Sequence, residues 1–161
     1  MPTKAQQCAE QLLSVAPQLM QTLRVEMRAG RASELTVPQF RTLVFFQCHD
    51  GGALSQAAEH LGLALPAASK LVETLVLRGL LTRAYSTQDR RRVVIALTGE
   101  GSQVLAQAKS AAIAAFTRKL HSLSALELDV VLAVLGSLAT ILGADAPGPD
   151  VSGPEADGQQ G

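Results

Sequence analysis

The abrupt change of pattern at Gly79 constrains this chain more than any other feature. Before it, apolar residues recur at helical spacings; after it, Leu80 to Tyr85 and Arg92 to Leu97 read as two strands. Val93, Val94 and Ile95 supply the β-branched side chains that suit a pleated surface. The polar run Ser86-Thr87-Gln88-Asp89 turns one strand back on the other, which makes a hairpin with bases concentrated near its tip.

Two short helices precede the hairpin. Ser55 is placed to cap the first, which carries Ala58 and Leu61 inward, and Gly62 through Leu65 form the turn. Pro66 suits the first turn of the second helix, and Ala68, Leu71, Val72 and Leu75 form its buried stripe. Gly79 stands where a left-handed residue ends a helix.

Longer helices flank this centre. Ala5, Cys8, Leu12, Val15, Leu19 and Leu23 line one face of a helix over residues 4–29. Thr36 and Gln39 have capping-box spacing and open a helix carrying Phe40, Leu43, Val44 and Phe46, which stops before Asp50-Gly51-Gly52. Thr98 caps a helix running to about His121, with Val104, Leu105, Ala108, Ala111, Ala112, Ala115, Phe116 and Leu120 as its apolar and small positions. Ser124 and Glu127 repeat the capping box before a last helix with Leu126, Val130, Val134, Leu138 and Ile141 on one face. The expected fold is mainly α with a small β-hairpin wing, a winged helix-turn-helix flanked by helices.

At 161 residues the chain fits one domain able to bury a core, and 47% apolar against 17% charged residues excludes a wholly disordered chain. The formal net charge is zero, but its distribution is uneven. Residues 70–92 hold Lys70, Arg78, Arg83, Arg90, Arg91 and Arg92 against Glu73 and Asp89, a local +4. Residues 143–161 hold Asp145, Asp150, Glu155 and Asp157 and no base, so −4 cancels it. That last segment is also rich in glycine and proline and reads as a flexible acidic tail.

Other classes have little support. Gln6, Gln7, Glu10 and Gln11 interrupt what a signal peptide would keep apolar. The uncharged stretch Val130 to Ala144 has fifteen residues, short of the about 20 that a membrane span needs. The expected location is the cytoplasm, with Cys8 and Cys48 as reduced thiols and Cys8, on the apolar stripe, as a buried one. Cys48 and His49 are adjacent and diverge, while His60 and His121 are isolated, so no metal site is expected. No phosphate loop, HExxH motif or nucleophile elbow marks an enzyme, and no cofactor or catalytic residue is assigned.

Helix, turn, helix and basic hairpin is an arrangement suited to duplex DNA: a helix enters the major groove while an adjacent basic loop reaches phosphates or the minor groove. The same segment resembles the wing of the MarR family of bacterial transcriptional regulators. Asp89-Arg90-Arg91, Leu97-Thr98 and Gly101 keep every spacing of the family's D-x-R-x5-L-T-x-x-G signature. Gly79-Leu80-Leu81-Thr82-Arg83 is similar to its entry into the wing, and Leu35-Thr36, Gln39 and Leu43 to its second helix. The resemblance covers roughly residues 5–142.

The resemblance implies a homodimer built from an N-terminal helix (1–34) and C-terminal helices (99–142) around a DNA-binding region (35–98), with 143–161 as the tail. It implies that Arg91 approaches the minor groove and that Asp89 orients the wing. Arg83, Arg90 and Arg92 are candidate phosphate contacts; Ser69, Lys70 and Thr74 are candidate recognition-helix contacts; Ala67 is placed to touch a thymine methyl. The implied function is a repressor, released by a small-molecule effector, on a pseudo-palindrome with half-sites about one DNA turn apart. Two alternatives stay open: an interaction module of this fold without specific DNA binding, and a regulator that senses oxidants through Cys8.

Overall fold

In a computed structural model, which describes residues 1–29, 35–85 and 93–143, helices and one hairpin follow in the order the patterning requires. They are α1 (Lys4–Ala29), α2 (Val37–Cys48), α3 (Leu54–Leu61), α4 (Leu65–Leu77), β1 (Leu81–Tyr85), β2 (Val93–Leu97), α5 (Gly99–Leu120) and α6 (Ala125–Ile141). The chain divides into two compact units, Met1–Ser122 and Leu123–Gly161. Among the described residues no single helix is long and apolar enough to cross a membrane.

The first unit has its core where α2, α4, the hairpin and α5 converge. Leu43, Phe46, Val72, Leu75, Leu81, Ile95 and Leu105 are its fully buried large side chains, joined by Phe45 and Leu80. Fully burying one such side chain contributes about 1.5–3 kcal/mol. The cap at Thr36 forms as expected: its hydroxyl accepts from Gln39 N at 3.4 Å, and Gln39 Oε1 accepts from Thr36 N at 2.9 Å. The start of α3 departs from expectation. Ala53, not Ser55, occupies the cap position, because Gln56 Oε1 takes up the Ala53 N–H at 2.9 Å and the helix begins before Ser55.

The hairpin is antiparallel, with Leu81 opposite Leu97 and Tyr85 opposite Val93. A contact absent from the sequence reading extends it: Ile95 N donates to Gly52 O at 3.2 Å, a bridge between the wing and the turn after α2. Gly52 is required there, since a Cβ would lie 2.9 Å from His49 O.

One junction ties α4, the wing and α5 together. At the end of α4, Gly79 N donates to Val76 O and Leu80 N to Leu75 O, both at 2.9 Å, with Gly79 at φ +73°. This left-handed ending satisfies carbonyls that a helix leaves open and tucks Leu80 against Leu75. Thr98 then meets the same corner. Its N donates to Leu80 O at 3.1 Å, its hydroxyl donates to Gly79 O at 2.6 Å and accepts from Gly101 N at 2.9 Å. Gly101 packs so closely that a Cβ would lie 2.1 Å from Leu80 O.

Two expectations about burial are corrected. The apolar stripe of α1 exists, but Leu12, Val15 and Leu19 are about half exposed, and among the described residues of its unit Met20, Leu23 and Met27 carry α1 to the core. Cys8 lies on the outlying part and is exposed, not buried, as is Cys48. The helix α6 has no buried residue: Leu126, Val130, Val134 and Ile141 are all more than half exposed.

What starts α6 is its capping box. Glu127 Oε2 accepts from Ser124 N at 2.8 Å and from Ser124 Oγ at 2.7 Å. The side-chain bond first, and the backbone bond second, hold the Glu127 carboxyl below its ordinary value of 4.5. A lowered carboxyl contributes stability that is complete above the unfolded value and is lost as pH falls through the folded one.

Two predictions follow from these contacts. Gly101→Ala lowers the thermal midpoint, at a cost of about 1–3 kcal/mol for forced overpacking, whereas Gly99→Ala, whose Cβ meets nothing within 4 Å, is neutral or stabilising. Equal midpoints for the two variants contradict the close approach. In an NMR titration the Glu127 carboxyl titrates below its ordinary value, and Ser124→Ala raises it; a midpoint that ignores Ser124→Ala excludes the capping box as the cause.

Candidate nucleic-acid interface

The axes of α3 and α4 turn through 110° at the Gly62 corner, within the range for a helix-turn-helix. Gly62, at φ +67°, ends α3 by donating to Glu59 O at 3.0 Å while Leu63 N donates to Ala58 O at 2.9 Å. Pro66 falls in the first turn of α4, where its missing N–H costs nothing. Ala68, Val72 and Leu75 bury one side of α4 and fix which side faces out.

The outward side follows from helical geometry. Pro66, Lys70, Glu73 and Leu77 are all exposed and lie at successive spacings of four, three and four, a straight ridge opposite the buried stripe. Ala67 and Thr74 are exposed on one flank of this ridge, and Ser69 is half-buried on the other. Of the expected contact residues on α4, Lys70 therefore projects farthest, while Ser69 is the most withdrawn. The Thr74 hydroxyl donates to Lys70 O at 2.9 Å, so its proton is already engaged and it offers a ligand mainly an acceptor. Leu77, 83% exposed, and Leu65, 52% exposed, add apolar surface to both ends of the helix.

Glu73 and Leu77 were not among the residues expected from sequence. The signal that finds them is the ridge spacing itself, read outward from Ala68, Val72 and Leu75 rather than from side-chain chemistry. Arg78 follows at the end of α4 and reaches back to α2, donating to Gln39 Oε1 at 3.4 Å. The caps of α2 and α4 are thus joined beside the outward face.

On the wing, Arg83 is exposed in β1 opposite Ile95. Asp89, Arg90, Arg91 and Arg92 lie outside the described residues. Lys70, Arg78 and Arg83 are the described bases of the cluster, and Glu73 is its described acid. Away from this face, Lys109 Nζ donates to Gln47 Oε1, and Arg118 pairs with Glu26 at 3.4 Å, which fastens α5 to α2 and α1. A cleft of about 410 Å³ opens between α1 and α5, with Leu19, Thr22, Val25, Phe116 and Lys119 in its lining.

His60 is not isolated as its sequence position implies, and His49 shares its surroundings. Both rings pack on Phe45, His49 stacked at 4.4 Å between centroids and His60 tilted at 5.1 Å. His49 Nδ1 is 3.0 Å from Phe45 O, which ties the ring to its own helix. Among the described residues no group of three or more His, Cys, Asp or Glu is placed to hold a metal ion.

Comparison with known proteins gives this geometry its context. Residues 35–93 match the model of the MarR family. The uncharacterized HTH-type transcriptional regulator YfiV of Bacillus subtilis (strain 168) is 30% identical over 71 residues, 44% of this chain and 44% of that protein. The match thus spans less than half the length of that curated relative. The crystal structure of RV1404 from Mycobacterium tuberculosis superposes with a TM-score of 0.77 at 24% identity, covering 89% of this chain and 97% of that one. A mutant of S. aureus MepR bound to an oligodeoxyribonucleotide gives a TM-score of 0.59 at 23% identity, covering 83% and 96%.

Proposed function

Residues 35–93 match the MarR family model, and on that premise we propose that the chain is a dimeric DNA-binding transcriptional regulator, a repressor released by a small molecule. The observation that carries this reading is the outward ridge of α4, presented by a 110° helix-turn-helix beside a hairpin that leads into three consecutive arginines. A helix so presented fits the major groove, and the wing bases reach the flanking backbone. The likeness of the fold to a MepR mutant solved bound to an oligodeoxyribonucleotide supports a DNA-binding reading.

In this reading Lys70, Thr74 and Ala67 face base edges, and Ser69 contacts the nearer backbone. Arg83, Arg90 and Arg92 neutralise phosphates, Arg91 enters the minor groove, and Asp89 orients it. The exposed apolar stretches of α1 and α6 are covered by a second copy, and the dimer sets the two recognition helices about one DNA turn apart. The division into an N-terminal dimerisation helix (1–34), a DNA-binding region (35–98), C-terminal dimerisation helices (99–142) and an acidic tail belongs to this proposal. The effector reading has support in the α1–α5 cleft, where Phe116 offers a ring contact and Lys119 a charge for a small aromatic anion. An effector acts only by preferring one separation of the recognition helices. The interaction-module alternative predicts no sequence preference in DNA. The redox alternative now has an accessible Cys8, but among the described residues that thiol has no hydrogen-bond partner.

The test is a titration of duplex DNA from upstream of the chain's own gene against a scrambled duplex, across salt concentrations. Specific binding that survives excess scrambled competitor is the expected result, and equal affinity for both duplexes favours the interaction module. Arg91→Ala weakens binding and reduces the salt slope by about one, as loss of one cationic DNA contact requires, with the dimer unchanged. An Arg91→Ala slope equal to that of the parent removes Arg91 from the interface.

A further inference from the structure

The ridge of α4 carries an acid where a DNA-facing surface is expected to carry bases. Glu73 sits in its middle, one turn after Lys70 and one turn before Leu77, on the side turned away from the buried stripe. It is exposed, and among the described residues it has no hydrogen bond or ion pair. Lys70, three residues away on the same ridge, does not pair with it, and the proton of the neighbouring Thr74 hydroxyl is given to Lys70 O at 2.9 Å. The carboxylate therefore keeps its full acceptor capacity on the outward side of the helix.

Such a group is repelled by phosphates, so a duplex that accepts this helix must present a donor to it. The major-groove edges differ in what they offer. Guanine shows two acceptors, thymine an acceptor and a methyl, and adenine a donor beside the N7 acceptor. Cytosine alone presents its N4 amino group without an adjacent acceptor of its own. We propose that Glu73 is a specificity-determining residue of this chain, its carboxylate accepting a hydrogen bond from the N4 amino group of a cytosine near the centre of each half-site. The inference rests on the DNA-binding reading above and adds to it a residue and a base. It also makes the acid a discriminator: Lys70 attracts any duplex, and Glu73 penalises those with guanine or thymine at its position.

The experiment is selection from randomised duplexes with the full chain as the wild type, Glu73→Ala and Glu73→Gln. Because Glu73 is exposed and unpaired, both variants should keep the parental fold and dimer, checked by circular dichroism and sedimentation; the near-isosteric Glu73→Gln secures the test if the alanine variant does not fold. The wild type selects cytosine at one position in each half-site. Glu73→Ala relaxes that position by about tenfold and leaves the others alone, the size expected for losing one good base contact. Glu73→Gln moves the preference there from cytosine to adenine, whose donor and acceptor match a carboxamide. Identical motifs from all three proteins overturn the inference while leaving the DNA-binding reading intact. So does a uniform rise in affinity for every sequence in Glu73→Ala with no change of motif, because the carboxylate then only repels phosphate. A wild type that enriches no motif overturns the DNA-binding reading, and this inference with it.

Discussion

The approach of the Leu80 carbonyl to the first turn of α5 is the constraint on which the outward face depends. Only a glycine at position 101 leaves room for it, and Thr98 closes the corner by bonding Gly79 O, Leu80 O and Gly101 N from one residue. The end of α4, the base of the wing and the start of α5 become one rigid piece. A hairpin of two five-residue strands is at best marginal alone. Here it is anchored at its base by Thr98 and along its side by the Gly52–Ile95 bridge. The direction of the recognition ridge relative to the wing is therefore set by backbone geometry rather than by long side chains.

Much of this was legible in the sequence because its signals are local. Thr36 with Gln39, Ser124 with Glu127, Thr98, Pro66 and Gly79 each do in the structure what their spacing implies. Ser55 misled because a glutamine three residues past Ala53 can satisfy the cap N–H without any cap side chain. In the sequence Gly52 signals only a break; its pairing with Ile95 depends on residues more than forty positions apart, which no local pattern encodes. His49 packs on Phe45 one turn before it, whereas the packing of His60 on the same ring joins α3 to α2, which no pattern within either helix encodes. On the outward face, side-chain chemistry in the sequence points to Lys70, Thr74 and Arg83 and not to Glu73, because an acid does not advertise DNA binding. Only the geometry of the helix puts it on the ridge.

Burial divides the chain in a way that periodicity cannot. An apolar stripe shows that a face will be covered, not by what. In α5 the stripe meets the core through Leu105, Ala108, Ala112 and Ala115, whereas in the first turns of α1 and throughout α6 similar stripes remain exposed. Cys8 falls on the second kind, which is why its expected burial failed. The dimeric reading gives these exposed apolar stripes a partner.

The central claim is that the ridge Pro66-Lys70-Glu73-Leu77, together with the wing, is the surface presented to DNA. The most direct measurement is the set of backbone amide shifts that change when the isotope-labelled chain binds a duplex it selects. The account predicts the largest changes along the outward side of α4, in β1 around Arg83 and over residues 86–92, with slight changes in the first turns of α1. Changes concentrated on α1 or α6, with α4 unmoved, would contradict it.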